Sequence, residues 1–152
     1  MEIFNKILVP LDGSEHSERA LETALLVAKK FDGEITLINV YSTNFLPSLS
    51  MYNEESDFVT AEEIVRVAEA IREARAEILA AGKKTVEAEG IPVETLLTEG
   101  HVVQEIVKTA REDRFDLIVL GAKGESKISE MLLGSVTEKV VRTAPCTVMI
   151  VK

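Results

Sequence analysis

Apolar residues fall into two alternating patterns along the chain: short continuous runs, and longer stretches in which they recur at every third or fourth position. The runs are Ile7-Leu8-Val9 continued by Pro10 and Leu11, Ile35 to Tyr41, Pro92 to Thr98, Leu117-Ile118-Val119-Leu120, and Cys146 to Val151. Each is short, rich in β-branched residues and bounded by Gly, Pro or Asp, which predicts five strands. The third run alternates more than the others, as an edge strand does.

Between the runs the period is helical. Ala20, Leu21, Ala24, Leu25, Ala28 and Phe31 form the apolar face of a first helix, capped by Ser14 and closed at Asp32-Gly33. Thr60 and Glu63 have capping-box spacing, and Ile64, Val67, Ala68, Ile71, Ile78 and Leu79 carry a long helix toward Gly90, weakened at Gly82. Gly100-His101 leads into a third helix through Val103, Ile106, Val107 and Ala110, and Ser135, Val136, Val140, Val141 and Ala144 mark a fourth. From Ser42 to Phe58 no period holds, and Asn44, Pro47, Asn53 and several serines predict an irregular, mobile segment.

Strands alternating with helices imply right-handed crossovers and a doubly wound α/β fold, an open parallel sheet with helices on both faces. Ligands of such sheets bind beyond the carboxyl ends of the strands, where the strand order reverses. Asp12 ends the first run and Gly121 the fourth, so the two meet there if those strands are neighbours.

The densest candidate chemistry follows the fourth run: Gly121-Ala122-Lys123-Gly124, nine residues, then Gly134-Ser135-Val136-Thr137. A helix beginning near Ser135 offers unpaired N–H groups and the positive end of its dipole, and glycines let backbone approach a ligand closely. Phosphate is the natural guest. Neither G-x-x-x-x-G-K-[ST] nor G-x-G-x-x-G occurs, and the same glycines also serve as turn residues of a tight connection, so the residues alone leave both readings open. Asp12 and Ser135 carry the same ambiguity, each reading as a helix-start residue or as a ligand contact.

Composition narrows the classes. With 152 residues and 46% hydrophobic content, the chain fits one domain over 1–152 with a proper core. A formal charge of −9, and no basic run interleaved with aromatics, argue against a nucleic-acid surface. Cys146 is the single cysteine and reads as a small buried hydrophobe, so no disulfide framework or C-x-x-C motif exists and a reducing, cytoplasmic setting is expected. No apolar stretch approaches the roughly 18 residues of a membrane span, and the first residues are expected to form a strand and not a leader. His16 and His101 have no second ligand at metal spacing and read as surface or capping residues; Lys83 and Lys84 read as a solvated helix face.

Leu11-Asp12-Gly13-Ser14, the Gly121-x-x-Gly124-(nine residues)-Gly134-Ser135 spacing, and Ala144-Pro145-Cys146-Thr147-Val148-Met149-Ile150-Val151, in that order, resemble the universal stress protein family across essentially the whole chain. The resemblance implies a Rossmann-like five-stranded sheet in the order 3-2-1-4-5. For members with this glycine pattern it implies binding of ATP or a related adenine nucleotide (ADP or AMP), with Mg²⁺ or Mn²⁺ held by the phosphates. Carried over, Asp12 would contact the ribose, and the Val40 backbone would meet the adenine edge beside Pro10 and Leu11. Gly121 and Gly124 would approach ribose and phosphate, and Gly134, Ser135 and Val136 would receive the phosphates. This chain has Ala122-Lys123 where many relatives have serine followed by histidine or arginine; Lys123 keeps a cation there, but as a point charge with less directional grip.

The function expected from this is a cytoplasmic homodimer, paired through the apolar edge 147–151, that holds ATP and signals its occupancy in a stress response to a downstream protein partner. No catalytic residue is assigned. A slow ATPase or nucleotide-dependent transferase is the alternative, with Lys123 and Lys127 as cations and Asp12, Glu125 or Glu130 as candidate bases. A third reading is a non-catalytic interaction module whose glycine loop is structural. Flavin or dinucleotide binding is disfavoured by the missing fingerprint.

Overall fold

In the computed structural model, which describes residues 3–46, 59–124 and 132–152, strand and helix alternate. The elements are β1 (Lys6–Pro10), α1 (Glu15–Phe31), β2 (Glu34–Tyr41), α2 (Ala61–Ala88), β3 (Val93–Glu99), α3 (Val102–Glu112), β4 (Leu117–Gly121), α4 (Ser135–Thr143) and β5 (Thr147–Val151). All neighbouring strands are parallel, and the sheet order is β3-β2-β1-β4-β5.

The period of two along each strand divides the core. Ile7, Val9, Ile35, Leu37, Leu117 and Val119 face α1 and α2, whereas Leu8, Ile38, Ile118 and Leu120 face α3 and α4. Covered on both sides, β4 is buried at every position, while the edge strand β3 is exposed or half-buried. That is why one run reads as continuously apolar and the other alternates.

Caps fall where the sequence places them. Ser14 Oγ accepts the Ser17 N–H at 3.2 Å, and α1 ends with Asp32 in the left-handed region at φ 55°. The α2 capping box is complete: the Glu63 N–H donates to Thr60 Oγ1 at 3.2 Å and the Thr60 N–H donates to Glu63 Oε2 at 2.7 Å. The expected weakness at Gly82 is absent. Gly82 is buried within an unbroken helix, and a Cβ there would stand 2.6 Å from Leu11 Cδ1. Glycine here lets the Leu11 and Leu37 side chains pack close against the helix, a tertiary contact that offsets the propensity it loses.

Three apolar positions differ from the expected faces. Phe31 is exposed and packs edge-on against Phe4, Val67 is exposed on α2, and Val141 is exposed while Thr137 takes the buried position on α4. Cys146 precedes β5 and is half-buried. Most of the segment expected to be mobile, residues 47–58, lies outside the described residues; Leu46 just before it is buried. No described helix is long and apolar enough to cross a membrane.

The register of β4 against β1 decides what meets at the carboxyl ends. The Asp116 N–H donates to Lys6 O and the Lys6 N–H to Asp116 Oδ2, both at 2.9 Å, and Ile7 then pairs with Leu117. The segment after β1 and the loop after β4 leave the sheet side by side.

Candidate functional site

Between those two segments and the end of β2 lies a cleft of about 310 Å³, a size that suits a small organic ligand. Every residue expected from the resemblance to contact the nucleotide lines it: Pro10, Leu11 and Asp12 at and after the end of β1, Val40 on β2, Gly121, Lys123 and Gly124 at and after the end of β4, and Gly134, Ser135 and Val136 at the start of α4.

One end of the cleft is a broken ladder. The Leu11 N–H donates to Ile38 O at 2.9 Å, which continues the β1–β2 pairing. In a parallel ladder the next bond would run from the Val40 N–H to Leu11 O. Instead Asn39 Nδ2 donates to Leu11 O, at 2.6 Å. Tyr41 O accepts from the Gly100 N–H at 2.9 Å, so Tyr41 faces β3 and Val40, one residue back, faces the β1 side. Among the described residues the Val40 N–H and C=O have no partner, and they stand together as a donor–acceptor edge at the cleft.

At the other end is the start of α4. Its N-cap is Gly134, whose N–H donates to Ala122 O at 2.8 Å, and among the described residues no side-chain hydrogen bond caps the helix. The capping reading of Ser135 is therefore corrected: Ser135 is the first helical residue and is exposed. First-turn N–H groups cannot bond within a helix, so an uncapped first turn keeps its donors for an anion. Thr137, buried, fixes this turn by donating from Oγ1 to Gly121 O at 2.8 Å.

Asp12 sits between the two ends and has both roles open to it. Oδ1 accepts the Ser14 N–H at 2.9 Å, which settles the turn into α1. Oδ2 faces Gly124, where a Cβ would lie 2.8 Å away. Gly121 has a different reason to be glycine: a Cβ would stand 2.7 Å from the His16 carbonyl carbon, so the requirement comes from packing β4 against α1.

Two lining residues escape a reading by motif. Asn39 is 2% exposed within an otherwise largely apolar strand. Arg75 is half-buried and falls on the α2 stripe Ile64, Ala68, Ile71, Ile78, Leu79, Gly82 and Val86, whose other members are uncharged. In each case the signal is a polar residue at a position that the period reserves for a small or apolar one. Among the described residues Arg75 makes no ion pair.

The histidines stay apart from the cleft lining. His16 Nδ1 lies 3.3 Å from an Arg19 guanidinium nitrogen, and His101 is exposed at the α3 N-cap with no side-chain capping bond. Among the described residues no three His, Cys, Asp or Glu side chains gather to hold a metal. Lys127, Glu125 and Glu130 lie outside the described residues.

Fold and cleft together define a doubly wound α/β protein with a ligand-sized opening at the switch point of its sheet. Over residues 3–152 the chain matches the Universal stress protein family, and it belongs to that family. It is 35% identical over 150 residues to universal stress protein MJ0531 of Methanocaldococcus jannaschii, a match covering 99% of this chain and 83% of that one. Among solved structures, the hypothetical protein MJ0577 superposes with a TM-score of 0.79 at 29% identity, covering 99% of this chain and 96% of that one. A universal stress protein in complex with cAMP superposes at 0.67 with 25% identity, covering 98% and 97%.

Proposed function

We propose that the cleft binds an adenine nucleotide and that the protein works as a nucleotide-dependent switch of the stress response. The observation that carries this reading is that one cleft has, among the described residues, an unpaired backbone donor–acceptor pair at one end and a helix start with no side-chain cap at the other. Val40 offers N–H to the ring N1 of adenine and C=O to its exocyclic amine, and Pro10 and Leu11 flank the base. Asp12 Oδ2 accepts from a ribose hydroxyl. The backbone at Gly124, Gly134, Ser135 and Val136 receives phosphate, with Lys123 and Arg75 supplying positive charge. The chain's own residues fit such a ligand: Gly124 keeps open the space beside the Asp12 carboxylate, and among the described residues no side-chain hydrogen bond caps α4. The relative in complex with cAMP supports the adenine assignment.

ATP is the nucleotide that best uses the helix start, ADP and AMP being the alternatives, and a Mg²⁺ or Mn²⁺ ion would be held by its phosphates. Holding is favoured over turnover, because Asp12 is the only carboxylate lining the cleft among the described residues and one of its oxygens is taken by Ser14. The whole chain, 1–152, acts as one nucleotide-binding unit in the cytoplasm. Two copies pair through the edge of β5, whose residues are half-exposed from Val148 to Val151.

Denaturing freshly purified protein and chromatographing the released small molecules tests the reading. It expects an adenine nucleotide in the supernatant or, from protein purified empty, uptake of added ATP. Failure of both removes it.

A further inference from the structure

Asn39 holds a position that makes little sense as packing. It is 2% exposed on the strand face that otherwise packs against α1 and α2, and its Oδ1 is buried with no hydrogen-bond partner among the described residues. A buried acceptor left without a donor destabilises a fold, and an aliphatic residue here would avoid it. What Asn39 does accomplish is specific. Its Nδ2 takes the Leu11 carbonyl, the acceptor that the continuing β1–β2 ladder would give to the Val40 N–H. The pairing thus ends at the Leu11-to-Ile38 bond, and the Val40 amide stays open at the cleft.

We infer that Asn39 is a positioning residue for base recognition: by occupying Leu11 O it stops the ladder from closing on Val40 and keeps the Val40 N–H available to the ligand. The inference deepens the adenine-nucleotide reading and rests on it for the identity of the ligand, but the ladder switch is a property of the empty protein. With an aliphatic residue at 39, Leu11 O has no side-chain donor, and the parallel-ladder pattern supplies it with the Val40 N–H. Closing that bond removes the recognition edge while leaving the chain with fewer unsatisfied groups than before. Asn39→Val therefore gives a protein at least as stable as the parent and poorer at binding, a pairing that simple damage to the fold does not produce.

Two readouts test this. The first is amide hydrogen exchange of Val40 in ligand-free protein by NMR. Wild type exchanges it as an open amide; Asn39→Val protects it, and a hydrogen-bond coupling appears between the Val40 N–H and the Leu11 carbonyl carbon. The second is titration with adenosine and with ATP, both of which Asn39→Val weakens by about tenfold or more, as expected for one lost hydrogen bond to the base. Asn39→Ala repeats both measurements should valine at 39 fail to fold. A Val40 amide that exchanges identically in wild type and variants overturns the inference. So does protection of Val40 with adenosine affinity unchanged, which separates the ladder from base recognition. Protection of Val40 in a protein whose wild type binds neither adenosine nor ATP retains the ladder switch and discards its role toward a base together with the nucleotide reading.

Discussion

Asp12 Oδ2 and Gly124 stand so close that a Cβ on Gly124 would lie 2.8 Å from the carboxylate oxygen. The segment after β1 and the loop after β4 touch there, with no room for a side chain. Gly124→Ala must push the carboxylate aside. Since a carboxylate can rotate and Gly124 is half-buried, the fold survives, and ATP affinity falls by about tenfold, the scale of one charge-assisted hydrogen bond. Asp12→Ala has a similar effect, and the double variant is no worse than Asp12→Ala alone, because both remove the same contact. Calorimetric titration of the four proteins checks this; fully additive losses would place the two residues in separate roles.

Thr137 ties α4 to β4 through its buried hydrogen bond to Gly121 O at 2.8 Å. Thr137→Val keeps the shape and loses the donor, leaving that carbonyl short of a partner. The expected loss is about 1–3 kcal/mol of unfolding free energy, read from urea melts as a lower midpoint with an unchanged slope. A midpoint equal to that of wild type would show that the helix start does not depend on this tie.

The β5 edge has a testable polarity. Val151 O accepts the Ala122 N–H at 2.8 Å, so Val151, Met149 and Thr147 turn their backbone groups toward β4, and Val148 and Ile150 turn theirs outward. Val148→Pro removes an outward N–H without touching the β4 ladder, an exchange that an edge strand tolerates. Sedimentation equilibrium is expected to show a dimer for wild type and a monomer for the variant. A variant that associates as wild type does would move the interface elsewhere.

The order of elements and the sheet class were legible because a strand buried on both faces and a one-faced helix leave different periods, and the two alternate through the described elements. The capping box at Thr60 and the left-handed stop at Asp32 were legible for the same local reason. Gly82 was misjudged, since propensity sees a helix breaker where the Leu11 and Leu37 side chains pack close against the helix. Of the two readings open for Ser135, cap or ligand contact, the cap falls away because the preceding glycine has taken the N-cap. Asn39 and Arg75 were invisible to motif reading because their significance lies in which partner each meets or lacks, and only the fold brings Asn39 to Leu11 and Arg75 to the cleft.

Cys146 is pushed above the ordinary thiol value by burial, and further by the nearby negative charge of Asp116. A raised value means less thiolate at neutral pH, so alkylation is slower than for a free cysteine. Its rate is expected to keep rising with pH beyond 9.0, the ordinary value, where a free thiol begins to level off. Asp116→Asn speeds the reaction modestly at pH 8. Alkylation at the rate of a free thiol would place Cys146 in a more exposed setting than its half-buried site.

The nucleotide site itself is tested most directly by calorimetric titration of emptied protein with ATP, beside Gly134→Val. A Cβ at Gly134 would already sit 3.3 Å from Lys123 Cα, so the valine methyls crowd the loop against the α4 donors. The account predicts saturable binding of one ATP per chain to wild type and none to a Gly134→Val protein with wild-type circular dichroism. No heat with ATP, ADP or AMP from folded wild-type protein, and no nucleotide released on denaturing it, would contradict the account.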